Sequence, residues 1–150
     1  MIQVHTDGSI QEKNPGGVAC WGWIAFEDVA TPLSKPYLER IRIGYGYGIA
    51  CEGEGATSNV AEYQAVIEAL TWLAEHCPGS RIMIVSDSQL VVYQLTGKYG
   101  VSKEHLKALR DRVRGMMSKF AEVRFTWVPR EQNTQADELS RRAYLERKAG

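Results

Sequence analysis

Four acidic residues, Asp7, Glu62, Asp87 and Asp137, stand where their carboxylates can act together. Asp7 closes the alternating segment Ile2–Asp7, on the face opposite Ile2 and Val4. Glu62 lies one turn into a helical segment and shares a face with Val66 and Ala69. Asp87 directly follows the apolar run Arg81–Ser86, and sites in sheets with crossover connections collect at the carboxyl ends of such strands. Asp137 falls in the first turn of the last helical segment. Each also has an ordinary local explanation. Asp7 could start a turn with Gly8, Glu62 could close a capping box with Asn59, Asp87 could cap the short helix after it, and Asp137 could pair with Thr134. Capping does not explain a helix acid on the same side as the apolar stripe, because a carboxylate facing a core needs a cation or a donor. Hard divalent cations take oxygen ligands and keep several waters. Three or four carboxylates can hold two such ions about 4 Å apart, one activating water and one stabilising the leaving oxygen in a displacement at phosphorus.

The elements that must position these acids follow from periodicity. Ile2–Asp7 has the period-2 alternation of a half-buried strand, and Gly8-Ser9 with Asn14-Pro15-Gly16-Gly17 reads as a turn region. Val18–Phe26 is a second, tryptophan-rich strand. Glu27 to about Arg42 reads as a polar connection with Pro32 and Pro36 inside it. Gly44–Cys51 alternates glycine with tyrosine or isoleucine, a third strand with its tyrosines on one face. A helix follows, capped by Ser58 or Asn59, with Val66, Leu70 and Leu73 at helical spacing and Pro78-Gly79 after it. Arg81–Ser86 suits a strand covered on both faces. Ser88–Leu95 is a short helix, and Lys103–Phe120 a longer one with Leu106, Leu109, Val113 and Met117 as its stripe. Val123–Val128 is the last strand and Thr134–Arg147 the last helix. Three strands on short connections, then strands alternating with helices, predict an α/β fold: a five-stranded mixed sheet with helices packed on it.

Composition narrows the function classes. The 150 residues fit one domain, and the 18 basic and 18 acidic side chains cancel. A zero net charge argues against retention on nucleic acid by bulk positive charge, but leaves room for a local basic patch such as Lys98–Lys119. The three cysteines, Cys20, Cys51 and Cys77, match no zinc spacing. Cys20 and Cys51 both fall in strand segments and could be neighbours, which leaves open whether they pair; as two small buried hydrophobes they need not. The amino-terminal segment reads as a strand rather than a signal peptide, and no apolar run reaches about 18 residues, so the expectation is a cytoplasmic protein with no membrane contact and no obligate protein partner.

Four segments, TDGS (Thr6–Ser9), TSNVAEYQAVIEAL (Thr57–Leu70), VSDSQLVVYQLTGKY (Val85–Tyr99) and WVPREQNTQADELSR (Trp127–Arg141), resemble the ribonuclease H type 1 family, most closely its archaeal-type and plant-type branch of small stand-alone members. The resemblance runs over nearly the whole chain. It implies a ribonuclease H-like fold, with residues 1–150 as a single catalytic domain. The implied activity is hydrolysis of the RNA strand of RNA–DNA hybrids by two Mg²⁺ or Mn²⁺ ions, leaving 5'-phosphate and 3'-hydroxyl ends. The family's acidic quartet falls on Asp7, Glu62, Asp87 and Asp137, as catalytic residues and metal ligands. Substrate contacts fall on Gly8 and Ser9, on Thr57, Ser58 and Asn59, and on Gln89, where short amides and hydroxyls can read the 2'-hydroxyl that distinguishes RNA. Double-stranded RNA stays open as an additional substrate.

Two departures stand out. Many members carry a histidine in the loop before the last aspartate, whereas Pro129–Asn133 contains none. Arg130 is the better replacement, as a fixed cation for a phosphate oxygen, with Glu131 as an auxiliary. Of the three histidines, His5, His76 and His105, the first reads as structural support near Asp7. The basic handle of some bacterial members has no room in Leu95–Leu106, and no separate amino-terminal hybrid-binding domain is evident.

Overall fold

The first strand outruns its turn signals. A computed structural model describes residues 1–30 and 38–150 of the chain, with β1 spanning Ile2–Gln11 and β2 Val18–Ala30. The expected turn at Gly8-Ser9 is instead part of the ladder, because Gly8 pairs with Trp21 and Ser9 with Cys20 up to Gln11 opposite Val18. The chain turns only at Glu12, whose φ is 73°. β3, Leu38–Glu52, begins earlier than expected and pairs antiparallel with β2 back to its end. Glu27–Ala30 and Leu38–Arg42 are therefore strand rather than polar connection; Pro32 and Pro36 lie outside the described residues.

α1 (Ser58–His76), β4 (Arg81–Ser86) and α2 (Gln89–Leu95) follow. The next helix, α3, is shorter than expected: it spans Glu104–Met116, and Met117–Lys119 tightens into a 3₁₀ turn that lets Phe120 return extended to the core. β5 (Glu122–Trp127) and α4 (Thr134–Ala149) complete the chain. The sheet order is β3-β2-β1-β4-β5. β1–β2 and β2–β3 are antiparallel, β1–β4 and β4–β5 parallel, which is the mixed sheet expected.

The helices take opposite faces of this sheet. Val4, Trp23, Val66, Leu70, Leu73, Ile82 and Ile84 form the main core under α1, and Leu106 and Val113 of α3 close it. Val18 and Cys20 face the other way, against Ala143 of α4. Cys51 packs with Ala19 on the α1 face, so Cys20 and Cys51 point to opposite sides and all three cysteines are free. The tryptophans cover glycines: the Trp21 ring lies over Gly48 and the Trp23 ring over Gly46.

Two close approaches fix how the helices sit. A Cβ on Gly8 would come within 2.2 Å of the Ala61 carbonyl carbon and the Glu62 nitrogen. On the other face, a Cβ on Gly22 would come within 2.6 Å of the Ser140 nitrogen. Both obstacles are helix backbone and cannot step aside alone. Gly8→Ala should therefore destabilise the protein by about 3 kcal/mol, the upper end for overpacking, measured by urea unfolding. Unchanged stability would show that α1 floats on the sheet.

Candidate active site

Two parallel strands deliver the first pair of acids. Thr6 is the last residue of β1 paired with β4, opposite Ser86. Asp7 and Asp87 therefore emerge side by side, where antiparallel pairing on one side of β1 meets parallel pairing on the other. Glu62 reaches them from the first turns of α1, and carboxylate oxygens of Asp7, Glu62 and Asp87 lie within 4.8 Å of one another. Asp137, in the first turn of α4, lines the same open cleft of about 580 Å³.

None of the four acids is spent on a cap. Thr57, rather than Ser58 or Asn59, caps α1, its Oγ1 accepting from the Val60 N–H at 3.2 Å. Ser88 caps α2, accepting from Val91. Asn133 precedes α4; its carbonyl accepts the Asp137 N–H at 3.1 Å, while its buried side-chain amide donates to the Thr6 carbonyl at 2.9 Å. That leaves Asn133 Oδ1 to accept from His5 Nδ1 at 3.3 Å. Burial holds the His5 imidazole below its usual pKa, so it serves as neutral support for the α4 junction.

The carboxylates repel one another, and burial adds to the cost of their charges. Burial first, then the charges of Glu62 and Asp87, push the Asp7 carboxyl far above the ordinary range. Burial and the Asp87 charge push Glu62 up to about 8, opposed by hydrogen bonds from Asp7 and the Gly8 N–H and by Arg130. Glu62 Oε2 and Asp87 Oδ2 are buried without a hydrogen-bond partner among the described residues. Arg130 Nε is 4.0 Å from Asp87 Oδ2, too far to satisfy it. Converging carboxylates with orphaned oxygens fit a hard divalent cation.

Gly8, Ser9, Ser58, Asn59 and Arg130 line the cleft as the sequence suggested. Thr57 stands beside it with its hydroxyl used in the cap, while Gln89 is exposed on α2 and Glu131 exposed in the 3₁₀ turn Arg130–Gln132, neither lining it. Five lining residues are not singled out by the sequence reading: Ile10 and Gln11 at the end of β1, and the polar Asn14, Ser88 and Arg141. Asn14, read as turn punctuation, donates to Ser58 Oγ at 3.3 Å. Ser88 caps α2 at the rim. Arg141, one helical turn from Asp137, pairs with it at 3.2 Å, a spacing that i,i+4 reasoning could have flagged. A second groove joins the cleft at Asn59 and carries Lys103, Ser102 and Leu90.

A sheet of this order, with acids from β1, α1, β4 and α4 converging at one edge, defines a ribonuclease H-like protein. The family model described as reverse transcriptase-like matches residues 44–143, and the chain belongs to that family. Ribonuclease HI of Halobacterium salinarum is 39% identical over 146 residues, 95% of this chain and 63% of that protein. A bifunctional protein of Mycobacterium tuberculosis is 30% identical over 140 residues, 93% of this chain. The chain spans only 34% of the length of that mycobacterial relative. Among solved structures, RNase H1 from the halophilic archaeon Halobacterium salinarum superposes with a TM-score of 0.79, at 29% identity, covering 97% of this chain and 98% of that one. LC11-RNase H1 in complex with RNA/DNA hybrid gives 0.78 at 27% identity, covering 95% and 96%. The fold is that of type 1 ribonucleases H.

The raised carboxyls have a consequence for stability. Folding without cations retains protons on Asp7 and Glu62 that the unfolded chain releases above about pH 4. Stability from these groups is thus fully present below that pH and is lost as pH rises toward 8 and beyond. In chelator, the melting temperature should fall from pH 5 to pH 8, and Asp7→Asn should flatten the decline and melt higher at pH 8. A wild-type slope in Asp7→Asn would show that Asp7 ionises freely.

Proposed function

We propose that residues 1–150 form one catalytic domain that hydrolyses the RNA strand of RNA–DNA hybrids, leaving 5'-phosphate and 3'-hydroxyl ends. The observation that carries this reading is the convergence of Asp7, Glu62 and Asp87 within 4.8 Å, with two buried oxygens left without partners. The hybrid-bound state of the similar LC11-RNase H1 supports the choice of substrate.

Asp7, Glu62, Asp87 and Asp137 would hold two Mg²⁺ or Mn²⁺ ions, which when bound supply Lewis acidity toward water and toward the departing oxygen. The chain's own residues do the rest. The parallel β1–β4 pair holds Asp7 and Asp87 in fixed register, and Gly8 brings Glu62 against them. Thr57 has taken the cap, so the Asn59 amide and the Ser58 hydroxyl, which accepts from Asn14 and keeps its own proton to donate, can read 2'-hydroxyls. The adjoining groove with Lys103 suits the backbone of the partner strand, placing the two strands on either side of Asn59. Arg130, largely exposed and free of a hydrogen bond to Asp87, can clamp a phosphate oxygen through its planar fork.

Chelation should abolish hydrolysis, and added Mg²⁺ or Mn²⁺ should restore it. Glu62→Gln and Asp87→Asn should lower single-turnover rates by orders of magnitude with the fold intact by circular dichroism. Arg130→Ala should lower the rate by only about tenfold, as fits an exposed phosphate contact. Full cleavage in excess chelator, or wild-type rates in either carboxylate variant, would sink the mechanism.

Strand choice is tested with labelled hybrid, duplex RNA and duplex DNA side by side. The hybrid should be cut in its RNA strand and duplex DNA left intact, with Asn59→Ala weakening hybrid turnover. Equal cleavage of DNA duplex and hybrid would refute recognition of the 2'-hydroxyl.

A further inference from the structure

We propose that Arg141 competes with the cation at Asp137: its guanidinium holds the fourth carboxylate until a divalent ion displaces it, which makes loading at Asp137 the weaker of the binding steps. The proposal rests on the reading of the cleft as a divalent-metal site.

The four acids are not equivalent. Asp7, Glu62 and Asp87 converge tightly and leave buried oxygens without partners. Asp137 lines the same cleft but stands outside that group of three. Its charge is already matched, with Arg141 Nε 3.2 Å from Oδ2 and 3.4 Å from Oδ1, so the N–H straddles both oxygens. One N–H leaves lone pairs on the carboxylate, so what an approaching ion meets is the positive charge of the guanidinium held against both oxygens.

The pairing is built into α4. Residues four apart share a helix face, with the acid toward the amino-terminal end, the favourable order. Arg141 lines the cleft beside Asp137. Its side chain is 58% exposed and that of Asp137 21%, so release requires only a rotamer change and no repacking. The other rim arginine behaves differently. Arg130 stays 4.0 Å from Asp87 Oδ2 and leaves that oxygen free for an ion.

The exposure also limits the size of the effect. A half-exposed pair is weak, so its removal should tighten the affected ion by about two- to fivefold. Arg142, the next residue along α4, is a control of equal charge. It pairs with Glu146 and does not line the cleft.

The test is Mn²⁺ binding without nucleic acid, followed by titration calorimetry and by the paramagnetic resonance signal of free Mn²⁺. Wild type, Arg141→Ala, Arg141→Lys and Arg142→Ala are compared, with folding checked by circular dichroism. The weaker Mn²⁺ should bind about two- to fivefold tighter in Arg141→Ala. Arg141→Lys, which keeps the charge without the fork, should fall between, and Arg142→Ala should match wild type. Unchanged or weaker binding in Arg141→Ala overturns the proposal, as does equal tightening in Arg142→Ala, which would mark a general charge effect. Asp7→Asn and Glu62→Gln test the underlying reading separately. If both bind Mn²⁺ as wild type does, the cleft is not the metal site and the proposal falls with it.

Discussion

Three carboxylates within 4.8 Å of one another, two of them among the most buried charged groups of the chain, repel each other. Left alone, such a cluster holds protons, which is why Asp7 and Glu62 are pushed so far up. The surrounding structure supplies only part of what a full set of charges would need. The Gly8 N–H and the Arg130 charge favour ionised Glu62, yet Glu62 Oε2 and Asp87 Oδ2 remain without donors among the described residues. A divalent cation would meet that shortfall, because it offers concentrated charge to several oxygens at once.

Bringing these acids together requires helices on opposite faces of the sheet to reach one edge. Glycines make this possible on both faces: Gly8 admits the backbone of α1, and Gly22 admits that of α4. Adjacent pairing in the β1–β2 ladder sets the two glycines on opposite faces, Gly8 opposite Trp21 and Gly22 opposite Asp7. Asn133 then ties the start of α4 to β1 through the Thr6 carbonyl, one residue before Asp7. The fourth acid is thereby referenced to the same strand as the first, which makes the buried amide a structural part of the site.

Much of this was legible before any coordinates. Val66, Leu70 and Leu73 marked the buried face of α1, and placed Glu62 on it. The apolar run Arg81–Ser86 marked a covered strand and put Asp87 at its end. What remained hidden depended on partners distant in sequence. Gly8-Ser9 carries turn chemistry, but the ladder to Trp21 and Cys20 overrides it. Thr57, Ser58 and Asn59 are all competent caps, and only the backbone of Val60 decides among them. Cys20 and Cys51 sit in adjacent strands, but a register shift between Ala19 and Cys20 leaves them on opposite faces. Asn14 reads locally as a turn residue and acquires its place in the cleft only through Ser58.

On the proposed function, a chain with no net charge must still accept a polyanion at an acidic cleft. Bulk attraction cannot do this, since the 18 basic and 18 acidic groups cancel. Local neutralisation can. Protons on Asp7 and Glu62 lower the negative charge of the cleft, and cations in their place would reverse its sign near the carboxylates. Arg130 and Arg141 stand at the rim, each beside a different acid. A site built this way would gain most of its attraction for phosphate when the ions arrive. Metal occupancy and nucleic-acid affinity are then linked, each ion raising the affinity for phosphate and each bound phosphate raising the affinity for the ions.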